Sequence, residues 1–294
     1  MTRRNLVIVR AGDSSLHPHW LDGTSERSWD ILISYFGDDP DRYREPDVIR
    51  IDGKGPKWPA LQTLIESEHE RIERYDYVWL PDDDIECRSS DIDRIFELMR
   101  KYALTFAQPA LTASSYFTWP ITIWNPSARV RYTNFVEIMV PCFEREFLMR
   151  CVPSMAENLS GWGLDFLWSE MAAERPRRVA VLDAVRVRHT RPIGSANYKA
   201  LQAIGRTALQ ELQEFQIAHG LEMTPQRVEA VVTRGGLQLD GARRPTRAIL
   251  GMGYAILLFN EFARRRPSRW ALDKALRERI TEPIEFPPTS VILA

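Results

Sequence analysis

The chain has 294 residues, 44% hydrophobic and 27% charged, with a formal net charge of -1. That length suits one large or two modest soluble domains, and the charge balance leaves no basic field to attract nucleic acid. No apolar run is long enough to span a bilayer. Met1-Thr2-Arg3-Arg4 leads into a short strand-like run rather than a signal-peptide core, and Cys87, Cys142 and Cys151 lack metal-ligand spacing and read as reduced cysteines of a cytosolic protein.

Asn5-Leu6-Val7-Ile8-Val9-Arg10 is a β-branched run ended by Ala11-Gly12-Asp13-Ser14-Ser15, a first strand followed by a turn. Trp29 to Phe36 is a second strand, stopped by Gly37-Asp38-Asp39-Pro40. Val48 to Ile51 is a short third strand. Gly53-Lys54-Gly55-Pro56-Lys57-Trp58 then opens a helix running to about Arg74. Glycines let backbone approach a phosphate, and lysines at a helix N-terminus favour anions, although solvated turn lysines look the same. The Gly-Lys-Ser/Thr ending of a P-loop is missing.

Tyr77-Val78-Trp79-Leu80 carries no charge and reads as a strand buried on both faces. Pro81 ends it, and Asp82, Asp83, Asp84 follow. Three carboxylates at the end of a buried strand repel one another, and a hard divalent ion, Mg²⁺ or Mn²⁺, would remove that cost. The bland alternative is an acidic turn that caps the next helix, Asp91 to Met99. An apolar strand running into Asp-x-Asp resembles the metal motif of GT-A glycosyltransferases. That resemblance implies Asp82 and Asp84 as ligands of a metal holding the diphosphate of a nucleotide sugar, with Asp83 between them. It further implies Arg10, Gly12 and Asp13 at the nucleotide, Asp38 at ribose or base, and Lys54 and Lys57 in a Gly-Lys-x-x-Ala-Leu element before a helix. An ordinary turn remains the alternative for Arg10 to Asp13 and for Asp38.

Thr105 to Leu111 reads as a strand and loop, and Thr133 to Pro141 as another strand. Between them a loop-like segment crowds Tyr116, Phe117, Trp119, Trp124 and Tyr132; Trp119 and Trp124 are candidates for stacking a sugar, with burial in the core as the alternative. Phe147-Leu148 and Val152 to Leu159 suggest a helix interrupted at Pro153. Gly161-Trp162-Gly163-Leu164-Asp165 follows, where glycines permit a tight loop. Asp165 can cap the next helix or take a proton from a hydroxyl. Gly-Trp-Gly-x-Asp resembles the loop of the beta-1,4-galactosyltransferases, which carries more acids than this one. The resemblance implies Asp165 as catalytic base, with Trp162 and Gly163 at the sugar. Val179 to Asp183 and Val185 to His189 read as two final strands. His189 ends the second, where GT-A enzymes place a metal-ligating histidine, and Arg191 in the loop Thr190 to Gly194 would meet the diphosphate.

From about Asn197 the character changes. Tyr198 to Ala218 has helical spacing, and Thr246 to Arg266 is the most apolar part of the tail, with Arg264-Arg265-Arg266 and Arg269-Trp270 after it. Such a helix can lie on an anionic membrane or pack against the main domain.

Asn5–Asp13, the Tyr-Asp-Tyr-x-Trp-Leu-x-Asp-Asp-Asp strand, Gln108-Pro109-Ala110-Leu111, Val136 to Pro141 and Gly161–Asp165 together resemble domain-of-unknown-function family seven-oh-seven over about residues 5–195. That family is grouped with GT-A glycosyltransferases. The expected fold is α/β: a GT-A, Rossmann-like mixed sheet flanked by helices over residues 1–196, with a helical C-terminal extension over 197–294. The expected activity is metal-dependent transfer, with inversion, from a nucleotide-diphosphate sugar (uridine by default) to a saccharide acceptor. It would take place in the cytoplasm or at the inner membrane face. A nucleotidyltransferase and a non-catalytic nucleotide-sugar-binding protein are the alternatives.

Overall fold

A computed structural model describes residues 3–22, 26–192 and 201–263. Its centre is β1 (Asn5–Ala11), buried at every position. Leu6 to Val9 are all apolar because the sheet is covered on both faces. Val7, Val9 and Ala11 point into one core, and Leu6 and Ile8 into the other. β1 pairs in parallel with β2 (Trp29–Tyr35) and β4 (Tyr77–Trp79), and β2 pairs in parallel with β3 (Val48–Asp52). Trp20 of α1 (His17–Leu21) and Ile92, Ile95, Phe96 and Met99 of α4 (Ser89–Lys101) fill the first core. The second takes α2 (Lys57–Ser67), α5 (Arg145–Met155) and α6 (Leu164–Ala172), with α3 (His69–Ile72) following α2.

The remaining strands are β5 (Ile85–Glu86), β6 (Phe106–Leu111), β7 (Ala128–Thr133), β8 (Cys142–Glu144), β9 (Val179–His189), β10 (Val228–Thr233) and β11 (Gln238–Asp240). Among the described residues the order is β11-β10-β7-β9-β6-β8-β4-β1-β2-β3, with β5 on β9. Antiparallel β8 separates the parallel block from β6, so the sheet is mixed. The α/β class with helices on both faces is as expected.

Several local expectations change. Thr133 to Pro141 is not a strand: β7 ends at Thr133, and residues 134–141 form a buried loop. Its apolar character comes from burial, not pairing. Its backbone is satisfied from outside, Glu137 N by the Gln108 side chain at 2.6 Å and Val136 N by Ser169 Oγ at 3.1 Å. The aromatic segment expected as loop holds a 3₁₀ turn at Pro120–Thr122 and most of β7. The two final strands are one, β9. Its register slips opposite Pro109, which pairs with Leu182 while Ala110 pairs with Arg186, because a proline has no N–H to continue the ladder. The helix expected to reach Arg74 breaks after Ser67, and the one expected from about Phe147 to Leu159 is α5, which runs through Pro153 and ends at Met155.

The tail is helical in part, with α7 (Ala208–His219) and α8 (Arg244–Ala263). It also adds β10 and β11 to the same sheet, β10 pairing antiparallel with β7. Residues 193–200, which include the end of the loop expected over Thr190 to Gly194 and the start of the helix expected from Tyr198, lie outside the described residues, as do Arg264–Arg266, Arg269 and Trp270; the rest of that expected helix is broken at 204–207 before α7. Among the described residues no helix is long and apolar enough to cross a membrane.

Candidate metal and nucleotide site

The acidic cluster forms where β4 runs out. Leu80 N donates to Pro141 O (2.9 Å) and Asp82 N to Met139 O (2.8 Å), so the buried 134–141 loop carries the chain past Pro81. Asp83 and Asp84 turn it into β5, whose register puts Ile85 opposite His189. That pairing brings the histidine to the carboxylates. His189 Nε2 lies 3.3 Å from Asp84 and 3.8 Å from Asp82. One ligand atom from each of Asp82, Asp84 and His189 falls within 4.8 Å of the others. The Nδ1–H of His189 donates to Tyr116 O at 2.9 Å, which turns Nε2 toward the acids. Burial works against charge on this imidazole, but the bond to Asp84 and the charges of Asp82 and Asp84 outweigh it and push its pKa up to about 9. Burial likewise opposes the charge on Asp84, and His189 and Arg191 hold its pKa below the ordinary value.

Asp83 points elsewhere. Its carboxylate accepts Gly12 N at 2.9 Å and the Arg191 guanidinium at 3.0 Å, while Arg191 N donates to Asp84 at 2.8 Å. Asp83 thus joins the loop after β1 to the loop after β9. Lys57, at the start of α2, binds Asp82. Arg10 is buried, donates to Ser34 Oγ, Gly53 O and Gly55 O, and lies over the Phe36 ring. Burial lowers its pKa to about 10.

The Gly161–Asp165 loop lies beyond Lys57. A Cβ at Gly161 would meet Trp58 and Ile138 at 2.4 Å, and Ile138 O faces the Lys57 ammonium. Gly161 and Gly163 have φ of 90° and 98°, the left-handed region that favours glycine. Gly163 stands at the head of α6 and Asp165 in its first turn. Asp165 is 5% exposed. Burial raises its pKa to about 7, against the N–H of Phe166 and the Trp119 indole, which favour the carboxylate.

Residues 66–134 and 125–230 match the sequence model of a family described as a protein of unknown function, DUF707. The chain belongs to the DUF707 family. A search of curated proteins finds no match. Three solved structures resemble this DUF707 chain. A candidate nucleotide-diphospho-sugar transferase from Desulfovibrio desulfuricans G20 is 11% identical, covering 74% of this chain and 96% of its own, with a TM-score of 0.38. Protein A197 from STIV is 11% identical over 82% and 95%, with a TM-score of 0.39. TarS of S. aureus is 12% identical over 73% of this chain and 42% of its own, with a TM-score of 0.45.

In the DUF707 chain the other expected site residues are scattered. Lys54 binds Phe36 O, Gly37 O and Asp38, each at 2.7 Å, and so closes the turn after β2. Asp13 accepts the Tyr35 hydroxyl, which holds its carboxyl below the ordinary range. Trp119, expected as a sugar platform, is buried at 6% exposure between Phe135 and Phe166, each 5.5 Å away. Its polar edge serves Asp165 and its faces serve the core. Trp124 donates to Asp183 O at 3.0 Å beneath Arg186, on the β9 bulge rather than at the metal cluster. Trp162 is half-buried, its carbonyl held by Asn158 at 2.6 Å. Sequence reasoning missed Tyr116, which acts through a backbone oxygen and so leaves no residue-type signal. It also missed Glu211, one acid among several in a tail helix.

Proposed function

We propose that this chain is a GT-A-type, metal-dependent glycosyltransferase. It would move a sugar, with inversion, from a nucleotide-diphosphate sugar (uridine by default) to a hydroxyl of a saccharide acceptor. The observation that carries this reading is the convergence of Asp82, Asp84 and His189 at the end of β4. Two carboxylates and one imidazole, with the second imidazole nitrogen already bonded, are a donor set for Mn²⁺ or Mg²⁺. Bound there, such an ion would supply Lewis-acid stabilisation of the departing diphosphate.

The chain's own groups then have defined tasks. Asp82, Asp84 and His189 hold the ion. Asp83, through Gly12 N and the Arg191 guanidinium, fixes the loops on either side of the nucleotide. Lys57 and Arg191 offer positive charge to phosphate oxygens. Asp165 takes the proton from the acceptor hydroxyl. A base works best with a pKa near the working pH, and burial brings this carboxyl to about 7.

The test is a thermal-shift panel of nucleotide sugars and nucleoside diphosphates, with and without Mn²⁺, on wild type and Asp84→Ala, followed by product analysis by mass. Stabilisation that needs Mn²⁺ and disappears in Asp84→Ala is expected, because a ligand bound to the native state raises its midpoint. A flat panel on a well-folded protein would overturn the reading. Products carrying a new phosphate bond would replace it with nucleotidyl transfer.

A further inference from the structure

The loop that carries Asp165 is held from the tail. Its N–H groups from Leu159 to Trp162 have no strand or helix partner, and each is bound by a side chain. Asn158 takes Gly161 N at 2.6 Å, and Ser160 takes Trp162 N at 3.1 Å. The other two go to one residue of α7: Leu159 N to Glu211 Oε1 at 2.8 Å and Ser160 N to Glu211 Oε2 at 2.7 Å. Glu211 is only 3% exposed, so water cannot substitute for it.

The same face of α7 meets the loop along its length. A Cβ on Gly163 would come within 2.8 Å of Phe215 and 3.2 Å of Leu212. His219 binds Glu157 at 2.8 Å. Positions 211, 212, 215 and 219 share one side of a helix. The two glycines impose no path of their own on the loop, so its course is set by what it is tied to. A buried carboxylate gripping two successive N–H groups is a strong, directional tie.

We propose that Glu211 is the positioning residue of the Gly161–Asp165 loop, holding the head of α6 where Asp165 can meet an acceptor hydroxyl. This rests on the reading of Asp165 as the base. Glu211 touches no substrate in this scheme; it acts through Leu159 and Ser160.

The experiment compares full-length wild type, Glu211→Gln and Glu211→Ala in three measurements. These are steady-state kinetics, Mn²⁺-dependent donor binding by calorimetry, and hydrogen exchange resolved at the 159 and 160 amides. Glu211→Ala should lower kcat by about 100-fold, the scale of a small misplacement of a reacting group. Donor affinity should stay within about twofold, since the metal cluster lies on other elements and does not depend on α7. Glu211→Gln, which keeps one acceptor oxygen, should fall between. Protection at 159 and 160 should drop while that of β1 and β4 holds. Unchanged kcat in a folded Glu211→Ala overturns the proposal and leaves the transferase reading intact. So does a kcat loss matched by equal loss of donor binding, which marks general unfolding. If wild type itself transfers no sugar, the transferase reading fails, and the tie is judged by exchange alone: unchanged protection at 159 and 160 overturns it, and selective loss there upholds it.

Discussion

Two side chains carry most of the chemistry that pH can reveal. Asp165 has its folded pKa raised, by burial first, to about 7. Between about pH 4 and 7 the native state therefore binds more protons than the unfolded chain, and stability falls as pH rises through that window. At roughly 1.4 kcal/mol per unit the full effect is on the order of 4 kcal/mol. Asp165→Asn should flatten this slope in chemical denaturation followed from pH 4 to 8, and should leave Mn²⁺-dependent donor binding in place while transfer falls by about 100-fold or more. Unchanged turnover in that variant would remove Asp165 as base. His189 also has its pKa raised, but by the neighbouring carboxylates acting against burial. With its pKa up at about 9, it is protonated in the metal-free protein at pH 7. The ion needs neutral Nε2, so binding must expel that proton. Calorimetry of Mn²⁺ binding near pH 7 in buffers of different ionisation enthalpy should show about one proton released, and affinity should rise with pH toward 9. Release of none, with tight binding, would mean that His189 is not a ligand.

Among the elements, legibility followed the physics of each signal. β1, β2 and β4 were legible because strands covered on both faces are built around runs of apolar residues, β3 from its short β-branched run at the sheet edge, and each ends in a turn or a proline. The helix α4 was legible from its spacing. Residues 134–141 were not, because burial alone makes a segment apolar, and here Gln108 and Ser169 satisfy the backbone that a sheet would otherwise pair. The join of 179–183 to 185–189 was hidden by a bulge that lies across from Pro109, which cannot donate to the ladder. At the site, the pattern alone marked Asp82 and Asp84 as an acidic cluster at a strand end, while their reading as metal ligands and that of His189 came from the GT-A resemblance; the β5–β9 register brings the three together. What could not be picked out were contacts made by backbone oxygens, such as Tyr116 O, or by remote side chains, such as Glu211. Trp119 looked like a platform because composition cannot say which way a ring faces.

Across the whole molecule, the tail and the sheet meet at a charged hub. Arg131 of β7 is fully buried and binds Asp183 at 2.7 and 2.9 Å, Ile121 O and Ile123 O at 2.7 Å each, and the Tyr254 hydroxyl of α8 at 2.9 Å. Asn125 joins it, donating its backbone N–H to Asp183 at 2.7 Å and its side chain to Leu250 O of α8 at 2.9 Å. Desolvation opposes the guanidinium charge, and the Asp183 carboxylate outweighs it, so Arg131 stays ionised. The hub therefore ties the bulge of β9, the 3₁₀ turn and α8 together, with β10 on the neighbouring edge of β7. Breaking a buried pair by removing one partner leaves the other charge uncompensated, at a cost of about 3–5 kcal/mol. Arg131→Met should lower stability by that amount in chemical denaturation. Arg131→Met with Asp183→Leu should recover a good part of it, because apolar groups of similar volume can replace both charges. The hub makes no contact with Asp82, Asp84 or His189, so the folded double variant should still bind Mn²⁺ and donor as wild type does. A single variant within about 1 kcal/mol of wild type would mean that water or a neighbour compensates Asp183. The tail would then be held by the β7–β10 ladder and apolar packing rather than by this charge.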